Sequence, residues 1–245
     1  MELLADLLSH PRPLSTGEVH LWLLNVERFD DSHLNQAQEI MSLDEHERAQ
    51  KFVRGKHEYV ASRWLLRRVL GQYLQQSPQS LKFARQEKGK PYIPGSNIQF
   101  NLSHSGTWAT LAVANDINVG IDVEQGNNAR DLMGIATNYY HPAEFRMLGD
   151  LPPEAQPKQF YRLWTLKEAL LKAAGVGISA GLENLNFSLG AEISVGIAPA
   201  LANEVFASKW HFHQWQLSDG SLCALASACE TSPDVFWFDA IGALD

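Results

Sequence analysis

Apolar and polar positions along the 245-residue chain change period repeatedly, and the changes mark its elements. His20 to Val26 predicts a strand and Leu43 to Arg54 a helix. Over Lys56 to Gln76, Leu66, Val69, Leu70, Tyr73 and Leu74 recur at helical spacing, so a second helix is expected there, with Arg63 and Arg67 stacked on another face. Ser77-Pro78 stops it, because the residue before proline avoids helical backbone. Three strand-like runs follow, at Leu81 to Arg85, Asn97 to Leu102 and Trp108 to Ala114.

The second half repeats this order. Val119 to Glu124 alternates as a strand, parts of Arg130 to Leu148 read as helix, and Pro157 to Ala174 is a strong helical run ended by Gly175. Strands are expected near Leu185 to Leu189, Glu192 to Ile197, Lys209 to Leu217 and Leu222 to Ala228. The fold class is therefore α+β, with two similar α+β lobes at residues 1–116 and 117–245. No identity-level repeat relates them.

At 45% hydrophobic residues and 20% charged, the composition excludes a disordered or collagen-like chain. Its longest apolar runs, such as Leu111 to Ala114, are far shorter than the roughly 20 residues that cross a bilayer, so no membrane partner is expected. The first six residues carry Glu2 and Asp6 where a secretory signal has a basic region, and Cys223 and Cys229 lack metal-ligand or redox spacing. A cytoplasmic protein is expected.

The net charge of −8 conceals an asymmetry. Between Arg48 and Lys90 lie eleven basic residues against Glu58 and Glu87, a net +9, while the remainder carries −17. Such a basic stretch is either a solvated helical face or a wall for phosphates. The acidic remainder would repel a long polyanion, so a nucleic acid partner is not expected.

Three motifs carry candidate chemistry. In Gly120-Ile121-Asp122-Val123-Glu124, strand alternation puts Asp122 and Glu124 on one face about 7 Å apart, a spacing that suits a hard divalent cation or an unremarkable polar face. In the helical run Trp164 to Lys172, Trp164, Lys167, Glu168 and Leu171 share a face and Lys172 lies one turn beyond Glu168. That arrangement serves an amphipathic helix, or supplies a third carboxylate for a metal and lysines for phosphate oxygens. Gly89-Lys90-Pro91 precedes Phe100-Asn101-Leu102-Ser103-His104-Ser105, read as a strand ending in a turn that offers hydroxyls and an imidazole to phosphate. A Gly-x-Ser-x-Gly nucleophile elbow and a phosphate-binding Gly-x-x-x-x-Gly-Lys loop are both absent.

In this order and at these separations, the motifs, with Arg48 to Phe52 and His141-Pro142-Ala143-Glu144, resemble the 4′-phosphopantetheinyl transferases of the long, two-lobed type. The resemblance implies a pseudo-twofold monomer that binds coenzyme A and Mg²⁺, or Mn²⁺, in the cleft between lobes. It would transfer phosphopantetheine to a serine of an apo acyl or peptidyl carrier protein, releasing adenosine 3′,5′-bisphosphate. By the same resemblance, Asp122, Glu124 and Glu168 are metal ligands, and Glu168 or Glu144 is the general base. Lys167 and Lys172 stand against the pyrophosphate and acceptor. Arg48, Arg63, Arg85, Ser103 and His104 face the coenzyme A phosphates, and Lys90 and Pro91 lie in the adenine cradle. Glu45 and His46 stand where some relatives carry an extra basic residue, and the chain beyond about residue 181 is not informative. A Mg²⁺-dependent pyrophosphate hydrolase and a non-catalytic coenzyme A-binding module are the competing readings.

Overall fold

The computed structural model describes residues 12–126, 130–201 and 206–244; the amino-terminal hexapeptide read above lies outside them. The first half begins with strand β1 (Glu18–Asn25), followed by helices α1 (Asp31–Ile40), α2 (Leu43–Gln50) and α3 (Lys56–Leu74). Helix α2 stops four residues short of expectation, and α3 starts only after Gly55, whose φ of +77° interrupts any continuous helix. Short strands β2 (Ala84–Arg85) and β3 (Pro91–Tyr92) form a small hairpin before the long strands β4 (Ile98–Ser105) and β5 (Trp108–Asn115). The expected strand from Leu81 shrinks to two residues because the buried Arg67 guanidinium donates to Pro78 O and Leu81 O, so this stretch is held by a side chain instead of a ladder.

The second half runs β6 (Asn118–Glu124), α4 (Leu132–Tyr139), α5 (Pro142–Gly149), α6 (Gln156–Ala174), β7 (Leu185–Leu189), β8 (Ile193–Ile197), β9 (Trp210–Gln216) and β10 (Leu222–Ala228). It closes with β11 (Asp234–Asp239) and the short α7 (Ala240–Leu244). These last two elements correct the expected lobe boundary. Strand β11 pairs parallel to β1, making a first sheet of order β11-β1-β5-β4, and Phe238, Ile241 and Leu244 join the core of the first lobe. The second sheet is β6-β10-β9, and β7 and β8 form a separate hairpin.

The hydrophobic cores follow strand alternation. On β1, Trp22 and Leu24 face α3, as does Val26 just after it, while Val19, Leu21 and Leu23 face the other sheet. On β6, Val119, Ile121 and Val123 join that inter-sheet core together with Cys223 and Leu225 of β10. The opposite face of β10, at Leu222, Ala224 and Ala226, packs on α6. The layers therefore run helix, sheet, sheet, helix, and α3 and α6, of 19 residues each, are the two covers. Among the described residues no helix is long and apolar enough to cross a membrane.

Strand β4 continues through Ser103-His104-Ser105, and the turn falls at Gly106, φ +56°. The expected Ser-His-Ser turn is thus a strand. Its alternation decides how the sheets meet: Asn101 Oδ1 accepts from Ile121 N–H at 2.8 Å, Ser103 Oγ from Val123 N–H at 3.4 Å and Ser105 Oγ from Gln125 N–H at 3.1 Å. The outward backbone donors of β6 and of Gln125 just after it, which would be orphaned if buried unpaired, are met by a column of side chains.

Candidate active site

The face of β6 opposite the inter-sheet core carries Gly120, Asp122 and Glu124, and α6 lies directly on it. A methyl group at Gly120 would come within 2.9 Å of Ala173 Cα, and closer still to Ala169 O and Ala173 N, so this approach requires glycine. Ala169 and Ala173 follow Glu168 and Lys172, so the contact brings both functional side chains over the strand carboxylates. Lys172 Nζ donates to Asp122 Oδ1 at 2.5 Å and to Ser103 Oγ at 3.1 Å. Ser103 also donates to Asp122 Oδ1 at 2.9 Å, and Ser105 to Glu124 Oε2 at 3.1 Å.

Three carboxylates, those of Asp122, Glu124 and Glu168, lie close enough for their charges to act on one another. Burial first, and the Asp122 charge second, push Glu168 up to about 7. Burial opposes the Lys172 charge, yet Asp122, Glu168 and Glu124 together outweigh it and hold the ammonium above its ordinary value. Asp122 Oδ2 and Glu168 Oε1 are buried without a hydrogen-bond partner. Unpaired buried carboxylate oxygens are costly, and two of them in one carboxylate cluster fit a hard divalent cation. As the side chains stand, no group of three His, Cys, Asp or Glu among the described residues is arranged to hold one. The Lys172 ammonium takes the cationic position on Asp122 instead.

A cavity of 620 Å³ opens in the first lobe, where Arg48, Arg63, Lys82, Arg85, Pro91 and residues 100–102 of β4 share the wall with Asp44 and Glu45. The Tyr59 ring spaces two of the cations, with Arg63 Cζ 5.3 Å and Arg48 Cζ 5.7 Å from its centroid. His104 is exposed, and desolvation together with the Arg63, Lys172 and Arg48 cations holds it below its ordinary pKa. Glu45 is accounted for locally: it closes the capping box of α2 with Ser42 and accepts from Arg67 Nε at 2.6 Å.

Three expected site residues lie elsewhere. Lys167 and Glu144 are 0% and 2% exposed and pair with each other at 2.7 Å, on a different side of α6 from Glu168. Glu144 Oε2 accepts from His141 N–H, closing the cap of α5, while its Oε1 accepts from Phe187 N–H at 2.7 Å. Lys167 also donates to Leu182 O and Leu185 O. Every oxygen of Glu144 is taken, so it has no free base position, and the Lys167 ammonium faces backbone carbonyls instead of the cleft. The His-Pro-Ala-Glu motif is a helix cap and an ion-pair node. The Lys90 ammonium is likewise buried, donating to Val119 O and Ala173 O, and does not line the basic cavity. What the sequence reading missed is the structural work of Asn101 and Gly120, which only the placement of β4 and α6 against β6 reveals.

The comparisons with known proteins bear on both lobes. Residues 118–226 match the 4′-phosphopantetheinyl transferase superfamily, and residues 29–116 match the N-terminal part of a 4′-phosphopantetheinyl transferase. A relative of Nostoc sp., 4′-phosphopantetheinyl transferase HetI, is 38% identical over 189 residues, covering 73% of this chain and 79% of its own. The chain belongs to the 4′-phosphopantetheinyl transferase family. A 4′-phosphopantetheinyl transferase of Bacillus subtilis is 31% identical over 181 residues, 73% of each chain, and a phosphopantetheinyl transferase of Thraustochytrium sp. is 30% identical over 227 residues, covering 85% and 78%. The transferase is of the long type, with both lobes matched, and its activity is transfer of the 4′-phosphopantetheinyl group. Within this 4′-phosphopantetheinyl transferase the superfamily match contains β6 and α6, the two elements that form the carboxylate cluster.

Proposed function

We propose that the transferase takes coenzyme A as donor and the serine hydroxyl of an apo acyl or peptidyl carrier protein as acceptor, acting as a cytoplasmic monomer. One observation carries this reading: residues 100–102 of β4 line the arginine-bearing cavity of the first lobe, and the next residue of that strand, Ser103, donates to Asp122 of the carboxylate cluster. The donor has the matching order, a nucleotide bearing a 3′-phosphate followed by a pyrophosphate. Arg48, Arg63, Lys82 and Arg85 receive the nucleotide phosphates, with Pro91 beside the adenine. Ser103, His104 and Lys172 face the pyrophosphate.

Asp122, Glu124 and Glu168 are the residues that would hold Mg²⁺, or Mn²⁺, which when bound supplies charge neutralisation for the pyrophosphate. The serine oxygen attacks the phosphorus that carries the pantetheine ester, the bond from that phosphorus to the bridging oxygen breaks, and adenosine 3′,5′-bisphosphate leaves. Glu168, whose Oε1 is unpartnered, is the carboxylate placed to accept the serine proton. Lys172 supplies positive charge next to the developing charge on the leaving group. For Asp122 to hold the cation, Lys172 would have to give up its contact with Asp122 Oδ1.

The test is intact-protein mass spectrometry of apo carrier proteins incubated with the transferase, coenzyme A and Mg²⁺, with a chelator control. A mass gain of one phosphopantetheine unit that vanishes with chelator supports the reading. Free phosphopantetheine with unmodified carriers would instead mark a hydrolase, and a gain unaffected by chelator would remove the metal.

A further inference from the structure

Lys90 precedes β3 in the hairpin that gives Arg85 and Pro91 to the basic cavity, yet its ammonium turns inward and the residue is 8% exposed. It donates to Ala173 O at 2.7 Å and to Val119 O at 3.2 Å. Ala173 follows Lys172 on α6, and Val119 lies three residues before Asp122 on β6. The carbonyl of Ala173 is among the last four of its helix, which lack partners within the helix, and a cation there also complements the negative helix end. The hairpin presses against that end: Gly175 has φ +71°, and a methyl group on it would meet Gln86 Oε1 at 2.6 Å and Lys90 Cδ at 3.4 Å. Gln86 N–H donates to Lys90 O at 2.9 Å and Arg85 to Gly89 O at 3.0 Å, so the hairpin is internally braced.

We propose that Lys90 is a positioning residue for the transfer reaction: from the first lobe, its ammonium fixes the register of α6 against β6, and with it the placement of Glu168 and Lys172 over Asp122 and Glu124. The same hairpin presents Arg85 and Pro91 to the cavity, so one braced unit holds the nucleotide end of the donor and the helix of the reaction centre. This rests on the reading of the site proposed above.

The experiment uses the full chain with Lys90→Met, which keeps the aliphatic stem and removes both hydrogen bonds, and with Lys90→Gln, which keeps an amide donor. Transfer kinetics well below the melting temperature are joined to titration with adenosine 3′,5′-bisphosphate and to amide hydrogen exchange. Lys90→Met is expected to lose at least about tenfold in kcat. Its KM for coenzyme A and its affinity for the bisphosphate should stay within about threefold. Amides of residues 171–176 should exchange at least about tenfold faster while residues 160–166 are unchanged. Lys90→Gln should recover part of the kcat, and it carries the test alone if Lys90→Met does not fold. Unchanged kcat in a variant of lowered stability would reduce Lys90 to a stabilising role and overturn the proposal. Weakened bisphosphate binding with kcat retained would overturn it in favour of direct ligand contact. If the native transferase neither modifies carriers nor binds the bisphosphate, the reading of the site fails; exchange at the end of α6 still decides whether Lys90 positions it.

Discussion

Gly120→Ala tests the contact on which the reaction centre is built. The new methyl carbon would stand 2.9 Å from Ala173 Cα, and closer to Ala173 N and to Ala169 O one turn earlier. Carbon atoms pack best at about 3.5–4.0 Å, so α6 must retreat from β6 by roughly 1 Å or the strand must yield by as much. Overpacking of this kind costs about 1–3 kcal/mol, and at roughly 2–4 °C per kcal/mol for a chain of this size the melting temperature should fall by about 2–12 °C. The catalytic loss should be larger than the stability loss suggests, because the displaced backbone carries Glu168 and Lys172, and a 1 Å misplacement costs about 10²-fold in rate. Calorimetry and carrier-modification rates, measured on the same preparation well below melting, separate the two effects. Gly149→Ala is the control, since a methyl group there meets nothing within 4 Å and should change stability by no more than about 0.5 kcal/mol. A Gly120→Ala protein with native melting temperature and native rate would refute the close approach of α6 to β6.

Lys167→Met leaves Glu144 charged and buried and should destabilise the fold by about 3–5 kcal/mol, with Lys167→Met/Glu144→Gln regaining part of it; a folded variant of native stability that has lost transfer would return Lys167 to the donor. Arg48→Ala should raise KM for coenzyme A more than for dephospho-coenzyme A, and equal effects would remove Arg48 from the 3′-phosphate. In chelated protein, Glu168 binds its proton more tightly folded than unfolded, between about pH 4.5 and 7, so stability is greatest below that window and declines as pH rises through it. Glu168→Gln should flatten that decline and melt above the native protein at pH 7.5, as followed by thermal scans across pH; an unaltered slope would show that Glu168 is not the group with the raised affinity.

Where periodicity is set by burial, the sequence states the fold. Strand β1 and helix α3 are legible because each presents apolar side chains at the spacing its own geometry demands. Strand β11 is not legible in that way: its partner, β1, lies more than two hundred residues earlier, and nothing local in Asp234 to Asp239 announces a parallel return to the first sheet. The expected strand at Leu81 fails for a related reason. Arg67, on a helix already assigned, satisfies the carbonyls at 78 and 81 from outside the segment.

The site divides along the same line. Asp122 and Glu124 share a face by strand alternation alone, and Glu168 and Lys172 by one helical turn, so each half of the cluster is readable before the halves are joined. What joins them is Gly120, whose absent side chain is mute in a sequence, and the column Asn101, Ser103 and Ser105, whose spacing of two looks like polar punctuation until β6 is beside it. Lysines are the least legible, because charge says nothing of where a four-carbon stem ends. Lys172 reaches the carboxylates, Lys167 turns to Glu144 on another side of the same helix, and Lys90 leaves the cavity wall to hold α6. The resemblance sets Lys167 and Lys172 against the pyrophosphate and acceptor and Lys90 in the adenine cradle, and only the direction of each stem, fixed by packing, separates a charge offered to the donor from one that keeps two lobes in register.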